Sequence, residues 1–377
     1  MCDGDCGIRP IHRFPVDAYP QGQGGIVPEA LEQELRERFP EDDLGLAFVV
    51  EAGREALGLA GPAAAVGDPG LGLVLATNFG PMETLEWCWR ERFEYGTLDP
   101  GTFSTYRRFP ERAAEELGAA GGVVTLSLSC ASGAAAIALG RTWIREGRCE
   151  RVLAIGYDTL TEYCWCGLTN LRTITTDRLR PFDRDRAGTI FSEGAAAVLL
   201  EAESRRRRPA LARVAGAAVN NNAFHMTAPA PDADGSRRVM QAALTDAGLE
   251  PGSVDHVCAH ATGTTANDVT EVAALRNLLG PRLEEVTVAA HKSQLGHMMG
   301  GAGAAETIVS VMVLREGRIP PTVNHRNPDP ECGVDCVPDR ARESRVRCIL
   351  TNSAGIGGNN AALVLVRGGD VDGGDAG

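Results

Sequence analysis

The 377-residue chain carries 50 acidic against 37 basic residues, a formal charge of −13, with 44% hydrophobic and 23% charged side chains. That length and balance supply a sizeable core and exclude a small disulfide scaffold or a disordered chain, while the acidity and the 5% aromatic content argue against a general nucleic-acid surface. Among the 37 basic residues only Lys292 is a lysine; the rest are arginine.

The first residues, Met1 to Phe14, show neither a basic n-region nor a long apolar run, and no stretch of the chain approaches bilayer length. A cytoplasmic protein without membrane insertion is the expectation, with its eleven cysteines kept as thiols. Cys2/Cys6, Cys164/Cys166 and Cys332/Cys336 are short pairs without companions at zinc spacing, so no metal is expected.

In chain order, Ile8 to Glu41 mixes turns and prolines around a charged helical stretch at Glu29 to Arg38. Leu71 to Thr77, Val123 to Ser129, Arg151 to Ile155 and Ala195 to Leu200 read as short buried strands, with a helix over Gly133 to Glu146. The arginine run Arg205 to Arg208, followed by Pro209, reads as a connection between two halves. Beyond it the rhythm repeats. Strands are expected at Leu211 to Val219, Val254 to Ala259, Glu285 to Ala290, Val346 to Thr351 and Ala361 to Val366, and helices at Ser236 to Ala247, Asn267 to Leu279 and Ala302 to Leu314. The fold class is therefore α/β with two similar halves, 1–204 and 205–367, and a disordered tail over 368–377. The 45 glycines, often beside alanine, favour close backbone approach.

Three segments carry chemistry. Val123 to Gly133 reads as a strand, a sharp turn and a helix start, which puts Cys130 where backbone dipoles favour a thiolate; a buried structural cysteine is the competing reading. Cys258 to Asp268 and Ala290 to His297 each follow a strand and deliver His260 and His297, which are either partners of Cys130 or satisfied structural histidines. Lys292 lies in the second of these. In a chain that otherwise uses arginine, a compact ammonium beside a histidine suggests chemistry that a planar guanidinium does not satisfy, with Glu306 as its balancing charge and Thr264 orienting the same polar region; the alternative is a surface lysine near an acid. Near the end, Ile349 to Asn360 reads as a strand and a glycine-rich turn, either structural or exposing backbone N–H groups toward Cys130.

Together these segments resemble the β-ketoacyl synthase, or ketosynthase, family with its thiolase-like fold. Ser129-Cys-Ala-Ser-Gly133 is similar to the family's cysteine elbow, His260-Ala-Thr-Gly-Thr264 to its histidine motif, Lys292 to His297 to its lysine-to-histidine motif, and Asn352 to Gly358 to its C-terminal glycine loop. Pro181 to Gly188 with Glu193-Gly194, His225 to Pro229 and Asn327 to Cys332 add further matches in the family's order. The resemblance implies decarboxylative condensation of an acyl thioester with malonyl-acyl carrier protein. Cys130 would hold the acyl chain, and His260 and His297 would act on the malonyl thioester. Lys292, Glu306, Thr264 and Glu193 would support them, and the N–H groups of Cys130 and Ile356 would form the oxyanion hole. It implies no cofactor, an acyl carrier protein as partner, and a homodimer or heterodimer.

Several residues depart from the family pattern. Ala261 replaces a glycine after His260, and Ala354 and Ile356 stand where elongating enzymes commonly carry phenylalanines, one of them an acyl-pocket gate, which implies a changed acyl preference. Cys6 to Ile11 is similar to a loop that normally follows an initial strand and helix, so the first strand is expected to be missing or atypical. A thiolase-like or thioester acyltransferase enzyme, or a non-catalytic subunit shaping a partner's acyl tunnel, are the alternatives.

Overall fold

The computed structural model describes residues 1–58, 67–96, 100–205 and 209–368; the last three arginines of the 205–208 run and the tail beyond Gly368 lie outside the described residues. The strands, in chain order, are β1 (Arg9–Pro10), β2 (Gln23–Gly24), β3 (Leu71–Ala76), β4 (Val123–Leu126), β5 (Arg151–Asp158), β6 (Gly194–Glu201), β7 (Ala212–Asn221), β8 (His256–Cys258), β9 (Thr287–Ala289), β10 (Arg318–Ile319), β11 (Arg342–Glu343), β12 (Cys348–Ala354) and β13 (Asn359–Arg367). The helices are α1 (Glu29–Arg38), α2 (Leu44–Leu57), α3 (Met82–Tyr95), α4 (Pro100–Leu117), α5 (Ser132–Arg145), α6 (Glu162–Asn170), α7 (Asp234–Ala247), α8 (Thr265–Leu279), α9 (Lys292–Leu295) and α10 (Ala302–Glu316).

Two mixed sheets dominate, ordered β4-β3-β5-β6 and β7-β13-β12-β8-β9. In the first, β3 runs parallel to β4 and β5, and β6 is antiparallel to β5. The second repeats this pattern. There β8 is parallel to β9 and β12, β13 is antiparallel to β12, and β7 adds an antiparallel strand along β13. Among the described residues β6 has no counterpart of β7 along its outer edge. All nine strands of these sheets fall where apolar runs placed them, and the inner strands β3, β5, β8 and β12, buried along nearly their whole length, need no polar alternation.

Helices α5 and α10 lie between the sheets. A single apolar core joins Val74, Ala134, Ile137 and Val152 on one side to Cys258, Ala289, Ile349 and Leu363 on the other. On the outer face of the first sheet, α2 and α4 close a second core around Leu73, Phe109, Ile155 and Tyr157. Helices α7 and α8 do the same on the second sheet around Val239, Leu244, Leu275 and Val364. The central crossing is close enough to require glycine. A Cβ on Gly133 would stand 2.6 Å from the Ala304 nitrogen, and one on Gly303 would stand 2.6 Å from the Ala134 nitrogen. No described helix is long and apolar enough to cross a membrane.

Five helices had no signal in the sequence reading, one of them the single-turn α9. The first turns of α2, Leu44 to Val50, are buried all round and present no amphipathic stripe. In α3, Trp87, Trp89, Phe93 and Tyr95 stand at the surface, which scrambles its apolar period. Helix α4 continues through Pro110, an ordinary stop signal, and α6 is only nine residues long.

Gly133→Ala forces the α5 and α10 backbones apart, so it should lower the unfolding free energy by about 3 kcal/mol, as overpacking does. Gly167→Ala in α6, where a Cβ meets nothing within 4 Å, should change it by less than about 1 kcal/mol. Urea unfolding of both variants checks this, and equal effects would contradict the crossing geometry.

Candidate active site

The turn after β4 builds the nucleophile's position. The strand ends at Leu126, shorter than the sequence run, and Ser129 takes a φ of 52°, a left-handed conformation that aims Cys130 back toward the second sheet. Ser132 locks the turn, donating from Oγ to the Ser129 carbonyl at 2.6 Å and accepting from the Leu128 N–H at 2.8 Å. Helix α5 begins at Ser132, so Cys130 stands two residues ahead of it.

The second sheet supplies the partners. His260 leaves the end of β8, and Lys292 and His297 lie on and just after α9, which follows β9. His297 Nε2 lies 3.1 Å from Cys130 Sγ, and the two imidazoles meet edge to face with centroids 5.4 Å apart. Lys292, 1% exposed, points Nζ at His260 Nδ1, 3.3 Å away, and forms an ion pair with Glu306 on α10. At the end of β12, Gly355 packs so closely on the cysteine turn that a Cβ there would stand 3.0 Å from the Cys130 nitrogen. That contact brings the Ile356 backbone to the cysteine, where its N–H and the side-chain amide of Asn78, beyond β3, both act to lower the thiol's pKa.

Hydrogen bonds at the far side of each ring set the tautomers. His260 Nδ1 faces the Lys292 ammonium and His297 Nδ1 accepts from the Met299 N–H at 3.2 Å, so in both neutral rings the hydrogen sits on Nε2. Burial, reinforced by the Lys292 charge, holds both rings well below the usual histidine range and therefore neutral. Two N–H donors thus converge at the cysteine. Cys130 Sγ and one nitrogen of each ring lie within 4.8 Å of one another, a span that a metal ion would fit. The Nε2 hydrogens, however, leave no lone pair aimed at the centre, and this donor set does not suit a resident metal.

Burial pushes the Cys130 thiol up to about 11, against the lowering effects of Lys292, the Ile356 N–H and Asn78. Desolvation is the largest of these effects and opposes the thiolate that the turn's backbone dipoles favour. Glu306 is also raised by burial, to about 7, and the Lys292 cation opposes that rise.

The remaining sequence candidates lie at the margin. Thr264 pairs its hydroxyl with Thr262 at 3.0 Å where α8 begins. Glu193 faces away from the cluster, bonded to Arg13 and to the backbone N–H groups of Val27 and Leu160. It reaches the site only through Phe191, two residues earlier, which stacks on His297 with centroids 5.4 Å apart. Ala354 ends β12 half-buried, and Ile356 is exposed beside it. The sequence reading missed Glu271, buried on α8, which accepts from the N–H groups of His260 and Ala261 at 2.8 and 2.7 Å and from Asn352 Nδ2 at 2.7 Å. It also missed Asp158, which accepts from Thr77 Oγ1 at 2.6 Å and from the Gly300 N–H at 2.7 Å.

Alkylation of Cys130 by iodoacetamide, read by peptide mass mapping, should keep rising above pH 9 because its thiol is raised to about 11. Lys292→Met removes the nearby cation and should slow alkylation at pH 9 about tenfold. A plateau below pH 8 would contradict the buried-thiol geometry.

Comparison with known proteins matches this architecture. Residues 16–206 match the family model "Beta-ketoacyl synthase, N-terminal domain", and residues 211–326 match "Beta-ketoacyl synthase, C-terminal domain". The 3-oxoacyl-[acyl-carrier-protein] synthase 2 of Mycobacterium bovis is 36% identical over 308 residues, 78% of this chain and 73% of that protein. Nodulation protein E of a Rhizobium species is 35% identical over 302 residues, 78% of this chain and 75% of its own length. Among solved structures, the ishigamide ketosynthase/chain length factor superposes with a TM-score of 0.87 at 32% identity, covering 97% of this chain and 93% of the other. A β-ketoacyl synthase from Burkholderia phymatum shares the fold, with a TM-score of 0.85 at 24% identity over the same coverage. The chain belongs to the β-ketoacyl synthase family of condensing transferases, with that family's thiolase-like fold.

Proposed function

We propose that this enzyme joins an acyl group held on Cys130 to a malonyl group carried by acyl carrier protein, with loss of carbon dioxide. The observation that carries the reading is the convergence of two neutral histidine N–H donors on one buried cysteine beside a buried ammonium. In the first step the Cys130 thiolate attacks the acyl thioester, and the carrier's sulfur leaves and takes up a proton. Malonyl-carrier then binds with its thioester oxygen toward His260 Nε2 and His297 Nε2. The bond to the carboxylate breaks, carbon dioxide departs, and the electron pair forms an enolate that the two N–H groups stabilise without becoming ions themselves. The enolate carbon attacks the acyl-Cys130 carbonyl. The resulting oxyanion accepts from the N–H groups of Cys130 and Ile356, and its collapse expels the Cys130 thiolate and releases the β-ketoacyl carrier. Throughout, Lys292 supplies a fixed positive field in a site where burial leaves little water to screen it.

The roles of the marginal residues follow from their places. Glu306 holds Lys292, Thr264 frames the entry to α8, and Glu193 fixes the segment under Phe191. Ala354 and Ile356 form the small, branched wall of the acyl entrance. A second copy of this chain pairs along the open edge of β4, where Leu126, Leu128 and Leu139 line a groove together with Arg141, Arg145 and Asp246. One structural neighbour, 23% identical to this chain, is a type II PKS acyl-carrier protein in complex with its ketosynthase, which supports a carrier protein as partner here. Eleven cysteines with no disulfide among the described residues suit the reducing cytoplasm.

Incubation with acyl-carrier and malonyl-carrier substrates, followed by intact-mass analysis, tests the reading. Acyl-Cys130 and a lengthened β-keto product should both appear, and Cys130→Ala should abolish both. Loading without decarboxylation would contradict condensation and favour a simple thioester acyltransferase.

A further inference from the structure

Phe191 falls between two of the segments that the sequence presents, Pro181 to Gly188 and Glu193-Gly194, and belongs to neither. In the structure it is buried in a short run pressed between the N-terminal segment and the His297 turn. On one side the Gly25 N–H donates to the Phe191 carbonyl at 3.0 Å, and the Glu193 N–H donates to the Gly25 carbonyl at 2.9 Å. On the other, the Ser192 N–H donates to the His297 carbonyl at 2.9 Å, and the His297 N–H donates to the Ile190 carbonyl at 2.8 Å. Glycine permits both approaches. A Cβ on Gly25 would stand 2.2 Å from the Ser192 Cβ, and one on Gly296 would stand 2.9 Å from it.

Phe191 and His297 are thus partners in a parallel bridge, and their rings stack with centroids 5.4 Å apart at 26°. The imidazole's polar contacts are at its two nitrogens: Nδ1 accepts from the Met299 N–H at 3.2 Å, and Nε2 lies 3.1 Å from Cys130 Sγ. The His260 ring stands at 85° to it, so among the described residues Phe191 supplies the one near-parallel face. That face matters because rotation of an imidazole about its bond to Cβ is soft, a torsion between sp² and sp³ carbons with broad minima. The Phe191 ring is itself held from the N-terminal segment. The Glu193 carboxylate accepts from the Val27 N–H at 3.0 Å and the Leu160 N–H at 2.9 Å and pairs with Arg13, which also pairs with Glu32 on α1. Phe191 packs there in a small core with Ile11, Ile26, Leu160, Trp165 and Met299.

We propose that Phe191 is a positioning residue whose ring fixes the tilt of His297, so that Nε2–H stays aimed at the thioester oxygen of malonyl-carrier. The N-terminal segment, by clamping the run that carries Phe191, is then part of the active-site scaffold. Phe191 acts only through the histidine and moves no proton. The proposal rests on the reading of His297 as a donor to that thioester.

The test compares Phe191→Leu, which keeps apolar bulk but removes the flat face, with Phe191→Tyr, which keeps the face; urea unfolding confirms that each is folded. Nitrogen-15 NMR of the histidine-labelled proteins needs no substrate, and His297→Asn assigns the His297 signals. Wild type and Phe191→Tyr should show His297 as the Nε2–H tautomer alone. In Phe191→Leu the ring leaves the Met299 N–H, and an Nδ1–H signal should appear for His297 with His260 unchanged. With malonyl-carrier, Phe191→Leu should lower kcat for decarboxylation about tenfold at a KM within about twofold of wild type, as misplacing one donor does. Phe191→Tyr should recover most of that loss. A folded Phe191→Leu protein in which either the His297 tautomer or kcat is as in wild type overturns the proposal. So does a Phe191→Tyr protein as impaired as Phe191→Leu, since Phe191 would then only fill space. If Phe191→Leu does not fold, Phe191→Met takes its place. A wild-type protein that does not decarboxylate malonyl-carrier would defeat the condensation reading, and the NMR comparison would still decide whether Phe191 positions the ring.

Discussion

A single buried ion pair, Lys292 with Glu306, sets the electrostatics of the whole centre. Buried pairs are poor stabilisers, because removing two charges from water costs about as much as their attraction returns. This one has other consequences. Its ammonium hydrogen-bonds His260 Nδ1, and its charge helps to keep both histidines neutral while opposing the burial that raises the Cys130 thiol. One cation thus does two opposite things: it discourages positive charge on the rings and encourages negative charge on the sulfur. An enolate or oxyanion forming between them meets N–H donors already in place, with little reorganisation.

The second constraint is steric. Cys130 and Asn78 come from the first sheet, and His260, Lys292, His297 and Ile356 from the second, so the site exists only if the halves meet closely. Gly133, Gly300, Gly303 and Gly355 permit this, each standing where a Cβ would press on backbone of the other half. The small-residue composition and the chemistry are therefore one design. Two buried carboxylates complete it from below: Asp158 ties the Asn78 and Gly300 turns together through their backbone N–H groups, and Glu271 ties the His260 turn to β12 through the His260 and Ala261 N–H groups and the Asn352 side-chain amide.

How much of this is legible in the chain follows from the range of each interaction. The main strands can be read because each carries a short apolar run, unbroken in the inner strands that are buried on both faces, and Lys292 stands out by composition alone. The cysteine and histidine segments are legible because strand-end turns carry a local signature. Helix α2 is not, since burial all round erases amphipathic period, nor is α4 with its internal Pro110. Glu271 and Asp158 look like ordinary acids in sequence; only tertiary burial and the N–H groups around them give them a role. Glu193, read as a supporting residue inside a recognisable motif, has its carboxylate on Arg13 and on the Val27 and Leu160 N–H groups, outside the reacting cluster. For Cys130 the turn is legible because it is local, whereas the desolvation that raises its thiol depends on the whole fold.

The central claim is that His260 and His297 are neutral Nε2–H donors under the field of Lys292. Nitrogen-15 NMR of the protein labelled at histidine tests it directly. Both rings should show the neutral Nε2–H tautomer from pH 8 down to pH 6, and Lys292→Met should raise the pH at which they protonate. An imidazolium signal from either ring at neutral pH, or an Nδ1–H tautomer, would contradict the account.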